Sequence, residues 1–332
     1  MPGQFGPGPM NGITDVRGVR VGHTTLIQGT DIRTGVTAIV ADQLVDRGSL
    51  PAGLFVGNGY GKLIGATQLV ELGEIETPIL LTGTLSAFRC ADALVSYMLS
   101  LPVNDAMTSV NPIVGETNDG YLSDIRARPI REEHVLGALH GVTAGPVPEG
   151  CVGAGTGTSA LGFKAGIGTS SRVVRLSHLD QLATIGVLVQ ANFSGVLTVL
   201  GVPIDPEVAL AQAEAADDGG EAEHGNSCMI VVATDAALDA RQLGRVARRA
   251  LFGMGRIGAH FTHGSGDYAL AFSTSLQQVV LERSLDPLFI AVQEAVEEAI
   301  LNSLFMAETT RGYRGRMRHA VPIPHIVRSL RL

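Results

Sequence analysis

The sequence predicts an α/β protein in which a sandwich of sheets is covered by outer helices, and three observations lead there. Short apolar, β-rich runs occur in both parts of the chain, and helical stretches with an apolar stripe accompany them. The 332 residues include 42 glycines but only five tyrosines and no tryptophan, which suits short strands, tight turns and close backbone approaches more than a helix bundle. Strands apolar on both faces need cover on both sides, and helices supply it.

Val36–Ala41, Ile79–Thr82 and Val187–Val189 read as buried strands bounded by Gly, Asp or Pro. Ala87–Leu101 carries Leu94, Met98 and Leu101 at helical spacing and is expected to pack on them. Leu136–Leu139 follows the acidic pair Glu132 and Glu133 as a short helix. Pro146–Gly168 is too glycine-dense for a helix interior and reads as a loop or hairpin. Ile185–Leu200 reads as a buried strand pair, its apolar run interrupted by Gln190, Asn192 and Ser194. Pro206–Ala216 looks helical, and Asp217–Gly225, DDGGEAEHG, is an acidic stretch expected to be an exposed linker. Directly after it, Met229–Ala233 is apolar on both faces and reads as a central strand. Leu238–Phe252 is an amphipathic helix with Arg241, Arg245, Arg248 and Arg249 outward, Tyr268–Phe272 another strand, and Pro287–Leu304 an amphipathic helix. No internal repeat is visible, so the chain reads as one domain spanning 1–332.

A formal charge of −8 argues against a nucleic-acid or anionic-membrane surface, since both need clustered Lys and Arg. A small partner is expected. No apolar run reaches the roughly 20 residues a membrane-spanning helix needs. Cys90, Cys151 and Cys228 are odd in number and widely spaced, which suits a reducing compartment, and Met1–Pro9 lacks the features of a secretory signal. The expected location is cytoplasmic. The glycine runs at Gly57 and Gly153 lack GK[ST], and His260 and His263 lack the companions of a zinc site. No metal or organic cofactor is expected.

The chemistry concentrates at Gly225-Asn226-Ser227, where a flexible linker meets a rigid strand. The Ser227 hydroxyl can attack the Asn226 carbonyl there, and hydrolysis of the resulting ester frees the Ser227 amine. An α-amine has a pKa of about 7.7–8, so it can act as base for its own hydroxyl. Taken alone, the tripeptide is a weak signal and reads as a turn with a polar strand entry. Ser265 and Asp267, in HGSGD, form either a proton-orienting pair or a simple turn. Asn192 is either a satisfied buried amide or an oxyanion donor. His224 can shuttle a proton during cleavage or be merely solvated. Cys228 is set aside as nucleophile, because period-two alternation turns it away from Ser227.

Seven blocks in one order carry a resemblance that runs nearly end to end. They are NGITDVRGVRVGHTT from Asn11, GNGYGKLIGA from Gly57, GETNDGYLSDIRAR from Gly115, GTGTSALGFKAGIGTSSR from Gly155, VQANFSG from Val189, GNSCMIVVATDA from Gly225 and HGSGDYALAFST from His263. With them the chain resembles the P1 family of aminopeptidases, the DmpA and BapA type, which includes L-aminopeptidase/D-esterases and β-peptidyl aminopeptidases and is related to nylon-oligomer hydrolases. The resemblance implies a four-layer α/β/β/α sandwich of N-terminal-nucleophile type. It implies self-cleavage after Asn226 into chains 1–226 and 227–332, and tetramers of such units. It gives Ser227 as nucleophile, Ser265 and Asp267 as its supporting pair, and Asn192 as oxyanion donor. Lys164 matches an active-site lysine of the nylon-hydrolase relatives, or is a surface lysine in a glycine loop. A tyrosine of the oxyanion site falls on Tyr121, unless Asn118 holds that place. Glu116 and Asp119 are candidate anchors for a substrate ammonium group, or turn caps. The implied activity is release of N-terminal residues from short peptides, amides or esters through an acyl-enzyme. The rivals are a polyamide-oligomer hydrolase, an acyltransferase resembling ornithine acetyltransferase, and an uncleaved binding protein.

Overall fold

A computed structural model of the chain describes residues 3–176, 180–212, 226–275 and 280–330. Two sheets face each other. The first holds five strands in the order Val19–Gln28, Ile32–Ala41, Ile79–Gly83, Ile113–Thr117 and Leu63–Ile64. The second holds six, in the order Ile167–Leu176, Gln181–Asn192, Ser227–Thr234, Gly266–Ser273, Leu50–Gly59 and Glu74–Ile75. Each sheet is antiparallel except at one pair: Ile79–Gly83 with Ile113–Thr117, and Ser227–Thr234 with Gly266–Ser273.

Three apolar layers follow from the two faces of these strands. Between the sheets lie Ile39, Ile79, Leu81 and Ile113 against Leu188, Met229, Val231, Leu270 and Phe272. On the outer face of the first sheet, Val36, Ala38, Leu80 and Val114 meet Cys90, Leu94 and Met98 of the helix Ala87–Ser100, and Val135 and Leu139 of the helix Glu132–His140. On the outer face of the second, Val187, Ile230, Val232 and Ala271 meet the helices Ala240–Arg256 and Asp286–Phe305. The result is the α/β/β/α sandwich, with helices outside and both sheets buried within.

Local chemistry sets one helix boundary directly. Asp239 caps the helix Ala240–Arg256, its carboxylate taking the Gln242 N–H at 2.7 Å while the Gln242 side chain accepts from the Asp239 N–H. Two expectations are corrected, one at Ile185–Leu200 and one at the last long helix. Ile185–Leu200 is not a paired unit: the strand Gln181–Asn192 ends within it, the chain turns at Gly195, where a Cβ would stand 2.1 Å from the Gly258 carbonyl, and the short strand Thr198–Val199 pairs instead with Val202–Pro203. Pro146–Gly168 contains, as expected, a short hairpin, Ser159–Ala160 with Phe163–Lys164. The helix Asp286–Phe305 is buried nearly all round, Glu294 and Ser303 included, because it packs on Ile167–Leu176, Gln181–Asn192 and the helix Ala240–Arg256. The helix expected over Pro206–Ala216 is observed as Pro206–Gln212; the linker Asp217–Gly225, with His224, lies outside the described residues. Among the described residues, no helix is long and apolar enough to cross a membrane.

Candidate active site

Ser227 is the first residue of a central strand and is hydrogen-bonded into the sheet on both sides. Its register partners are Asn192 on the antiparallel neighbour and Gly266 on the parallel one. Alternation along the strand puts Cys228, Ile230 and Val232 into the helix-facing layer and Met229 and Val231 between the sheets. Ser227 shares the inter-sheet side, with Asn192 beside it. Its hydroxyl meets the first sheet there: the Asn118 N–H, just past the strand Ile113–Thr117, donates to Ser227 Oγ at 3.3 Å. A cavity of about 390 Å³ opens at this point, lined by Tyr60, Lys62, Glu116, Asn118, Asn226 and Ser227 among others.

The residue before Ser227 is held as firmly. The Asn226 amide donates to Ser194 Oγ at 2.9 Å and to Thr262 Oγ1 at 3.1 Å. Its backbone carbonyl accepts from the Gly266 N–H at 3.1 Å, and its side-chain Oδ1 is buried without a partner.

Asn192 is buried, and its Oδ1 accepts from the Ser159 N–H at 3.1 Å, which makes Nδ2 the donor end of the amide. Ser159 is the register partner of Lys164 in the short hairpin. Lys164 is fully buried, which excludes the surface-lysine alternative. Its Nζ donates to the Gly155 carbonyl at 3.1 Å and to that of Ala165, and burial lowers its pKa, partly opposed by the neighbouring Cys151.

Ser265 donates to Asp267 Oδ1 at 2.8 Å. Asp267 pairs in register with Cys228, whose backbone also hydrogen-bonds the carboxylate, so the Ser265–Asp267 pair approaches the backbone of the Ser227 strand. Among the described residues, no hydrogen bond joins Ser265 to Ser227 Oγ. Burial raises the Asp267 carboxyl to about 6, against the lowering effect of those two hydrogen bonds, and its Oδ2 is buried without a partner. Burial, with the Asp267 charge, drives the Cys228 thiol well above its usual range, the opposite of what a nucleophilic cysteine needs.

Glu116 closes another wall, its Oε1 taking the Lys62 N–H at 2.8 Å and the Lys62 ammonium at 3.2 Å. Asp119 does not line this cavity. It is buried against Gly83, where a Cβ would meet its Oδ2 at 2.6 Å, and burial raises its carboxyl to about 6. Tyr121 lies apart as well: its hydroxyl accepts from Arg318 at 2.8 Å, with the guanidinium groups of Arg318 and Arg316 over its ring. Of the two residues offered for that place, Asn118 is the one at Ser227. Lys62, Ser194 and Thr262 had no role in the sequence reading. The block GNGYGKLIGA contained Lys62, but nothing in it set that lysine apart from a solvated surface lysine.

The family model for peptidase family S58 matches residues 11–318. Over 361 residues the chain is 38% identical to the β-peptidyl aminopeptidase BapA of Sphingosinicella xenopeptidilytica, covering 100% of this chain and 89% of that protein. A crystal structure of a Pyrococcus horikoshii protein, 42% identical, superposes with a TM-score of 0.90 over 100% of this chain and 97% of the other. The L-aminopeptidase D-Ala-esterase/amidase of Ochrobactrum anthropi, described as a new variant among the Ntn-hydrolase fold, is 34% identical with a TM-score of 0.89 over 100% and 96%. Matches of this extent leave one assignment: the chain belongs to peptidase family S58, an aminopeptidase family of the DmpA and BapA type, and has the fold of its structurally known members.

Proposed function

We propose that the protein is a self-processing aminopeptidase that cuts its own backbone between Asn226 and Ser227 and then uses Ser227 as an N-terminal nucleophile. The carrying observation is the setting of that bond. Ser227 Oγ and Asn226 both border the cavity, and the Asn226 carbonyl oxygen already accepts the Gly266 N–H at 3.1 Å. As Ser227 Oγ attacks the Asn226 carbonyl carbon, that N–H stabilises the developing oxyanion. Collapse breaks the C–N bond and leaves an ester on Oγ with a free α-amine. Water then cleaves the ester, giving chains 1–226 and 227–332, which together make one peptidase domain.

In the mature enzyme the α-amine takes the hydroxyl proton as Ser227 attacks the carbonyl of a substrate's N-terminal residue. The proton passes to the leaving amine, and water, activated by the same α-amine, releases the acyl group. Asn192, fixed by Ser159, and the Asn118 N–H are the oxyanion donors nearest to hand. Lys164 acts behind them by holding the hairpin that presents Ser159. Asp267, with one buried oxygen unpartnered, is placed to stabilise the cation formed when the Ser227 amine is protonated, with Ser265 between. Glu116 is the anchor for the substrate ammonium group. Tyr121 acts, in this reading, through the Arg316 and Arg318 wall.

Intact mass and a denaturing gel test the reading. Active protein is expected as two chains divided between Asn226 and Ser227, and Ser227→Ala as one uncleaved, inactive chain. Active protein that persists as a single full-length chain would refute the mechanism.

A further inference from the structure

The cavity beside Ser227 carries a pair of opposite charges, and the pair is unevenly satisfied. Both contacts from Lys62, the backbone N–H at 2.8 Å and the ammonium at 3.2 Å, fall on Glu116 Oε1. Among the described residues, no hydrogen bond reaches Oε2. Glu116 is 3% exposed, so its open oxygen can be approached only through the cavity, whereas Lys62 keeps 34% of its side chain exposed there. An ammonium group has three protons to donate, and one carboxylate contact does not use them. A carboxylate alone would select any cation. A carboxylate whose neighbour is a half-open lysine presents a negative and a positive group side by side, which fits a ligand with both charged groups on one carbon.

We propose that Lys62 is a specificity-determining residue that binds a carboxylate carried by the substrate's N-terminal residue, next to the ammonium group bound by Glu116. The substrate class this defines is amides of amino acids whose ammonium and carboxylate groups share one carbon while the scissile carbonyl lies further along. β-Linked aspartyl amides have this arrangement. Their reacting carbonyl is two bonds from the carbon that bears both charges, so the zwitterionic end can sit at Lys62 and Glu116 while the carbonyl reaches Ser227. Cleavage follows the Ser227 chemistry above, on which this inference rests: water adds across the C–N bond, giving aspartate and the free amine.

The test uses purified full-length protein with two anilides, β-L-aspartyl p-nitroanilide and β-alanyl p-nitroanilide, which differ by the carboxylate alone. Wild type is expected to favour the aspartyl substrate in kcat/KM by about tenfold or more, the scale of one charge-assisted hydrogen bond. Lys62→Met is expected to remove that preference, mainly through KM, and Lys62→Arg to retain most of it. Cleavage of the β-alanyl anilide with no preference for the aspartyl one, or a preference that Lys62→Met leaves unchanged, overturns the inference and leaves the hydrolase reading standing. Hydrolysis of neither anilide by protein that has cleaved itself overturns the inference alone, and hydrolysis of both by Ser227→Ala overturns both. If Lys62→Met does not fold, product inhibition of wild type decides. L-Aspartate inhibiting about ten times more strongly than β-alanine supports the proposal, and equal or weaker inhibition defeats it.

Discussion

Asp267 shows how burial sets the working range of a single group. Its carboxyl is raised to about 6 because the charged form is desolvated, while the Ser265 hydroxyl and the Cys228 backbone pull the other way. Only the ionised form can accept the Ser265 proton and stabilise a cation at Ser227. In the proposed mechanism the Ser227 amine must itself be unprotonated to act as base, and the ordinary pKa of an α-amine is about 7.7–8. Falling pH therefore removes first the free amine and then the Asp267 charge. A plot of log kcat/KM against pH is expected to fall with unit slope below the amine's pKa and to steepen to a slope of two below about 6; Asp267→Asn should keep unit slope throughout. The stability sign is opposite. A carboxyl whose folded pKa lies above its unfolded value of 3.8 favours folding fully at low pH, and that contribution is lost as pH rises through about 6. The hydroxyl–carboxylate spacing was legible in HGSGD, and so was the away-facing thiol of Cys228, from alternation alone. Lys164 and Tyr121 were not, because a glycine loop does not reveal in sequence whether it is folded under a hairpin or laid over a surface. Their environments are set by Gly155 and Arg318, residues distant in sequence or in a different turn.

Elements are positioned here by missing side chains as much as by apolar ones. Gly168, near the start of the strand Ile167–Leu176, has no room for a Cβ: one would stand 1.9 Å from the Ala299 carbonyl and 2.6 Å from the Ser303 nitrogen. Those are backbone atoms of the helix Asp286–Phe305, which cannot move aside without leaving the sheet. Gly168→Ala is expected to destabilise the protein by about 1–3 kcal/mol, the cost of forcing atoms into a packed layer, read as a lower urea midpoint. Gly145→Ala, where a Cβ would meet nothing within 4 Å, should leave the midpoint unchanged. This use of glycine explains what could be read in advance. Strands apolar on both faces, such as Met229–Ala233, announced themselves, and so did the helices with a clear stripe. Strands such as Val19–Gln28 and Ile167–Leu176 did not, because their polar residues find partners elsewhere in the chain: Ser170 Oγ donates to the Ala295 carbonyl of a covering helix and Thr169 Oγ1 to the Val187 carbonyl of the neighbouring strand. A polar residue satisfied by a distant partner looks, in sequence, like an exposed one.

For the whole molecule, the consequence of the proposed cleavage depends on how the segment after Asn226 is threaded through the rest. The strand Ser227–Thr234 pairs on one side with Gln181–Asn192, which precedes the cut, over eight residue pairs from Ile185–Thr234 to Asn192–Ser227. Gly266–Ser273 pairs on its far side with Leu50–Gly59, also from before the cut. The two later strands are thus inserted between earlier ones. The helix Asp286–Phe305 covers Ile167–Leu176 and Gln181–Asn192, and Ala240–Arg256 covers Leu50–Gly59. Breaking one peptide bond removes none of these contacts, so the cleaved protein should remain one particle. Size-exclusion and native mass measurements of cleaved wild type and uncleaved Ser227→Ala are expected to agree, apart from the few atoms that differ. Separate production is a different matter. Without the inserted strands, segment 1–226 cannot join Gln181–Asn192 to Leu50–Gly59, and the second sheet has no centre. Chains 1–226 and 227–332 made apart and mixed should therefore not recover activity, whereas the continuous precursor, whose linkage lowers the entropic cost of bringing the pieces together, should. Dissociation of the cleaved protein on dilution in native buffer, or full activity from separately made chains, would contradict this threading as a reason for the proposed single-chain precursor.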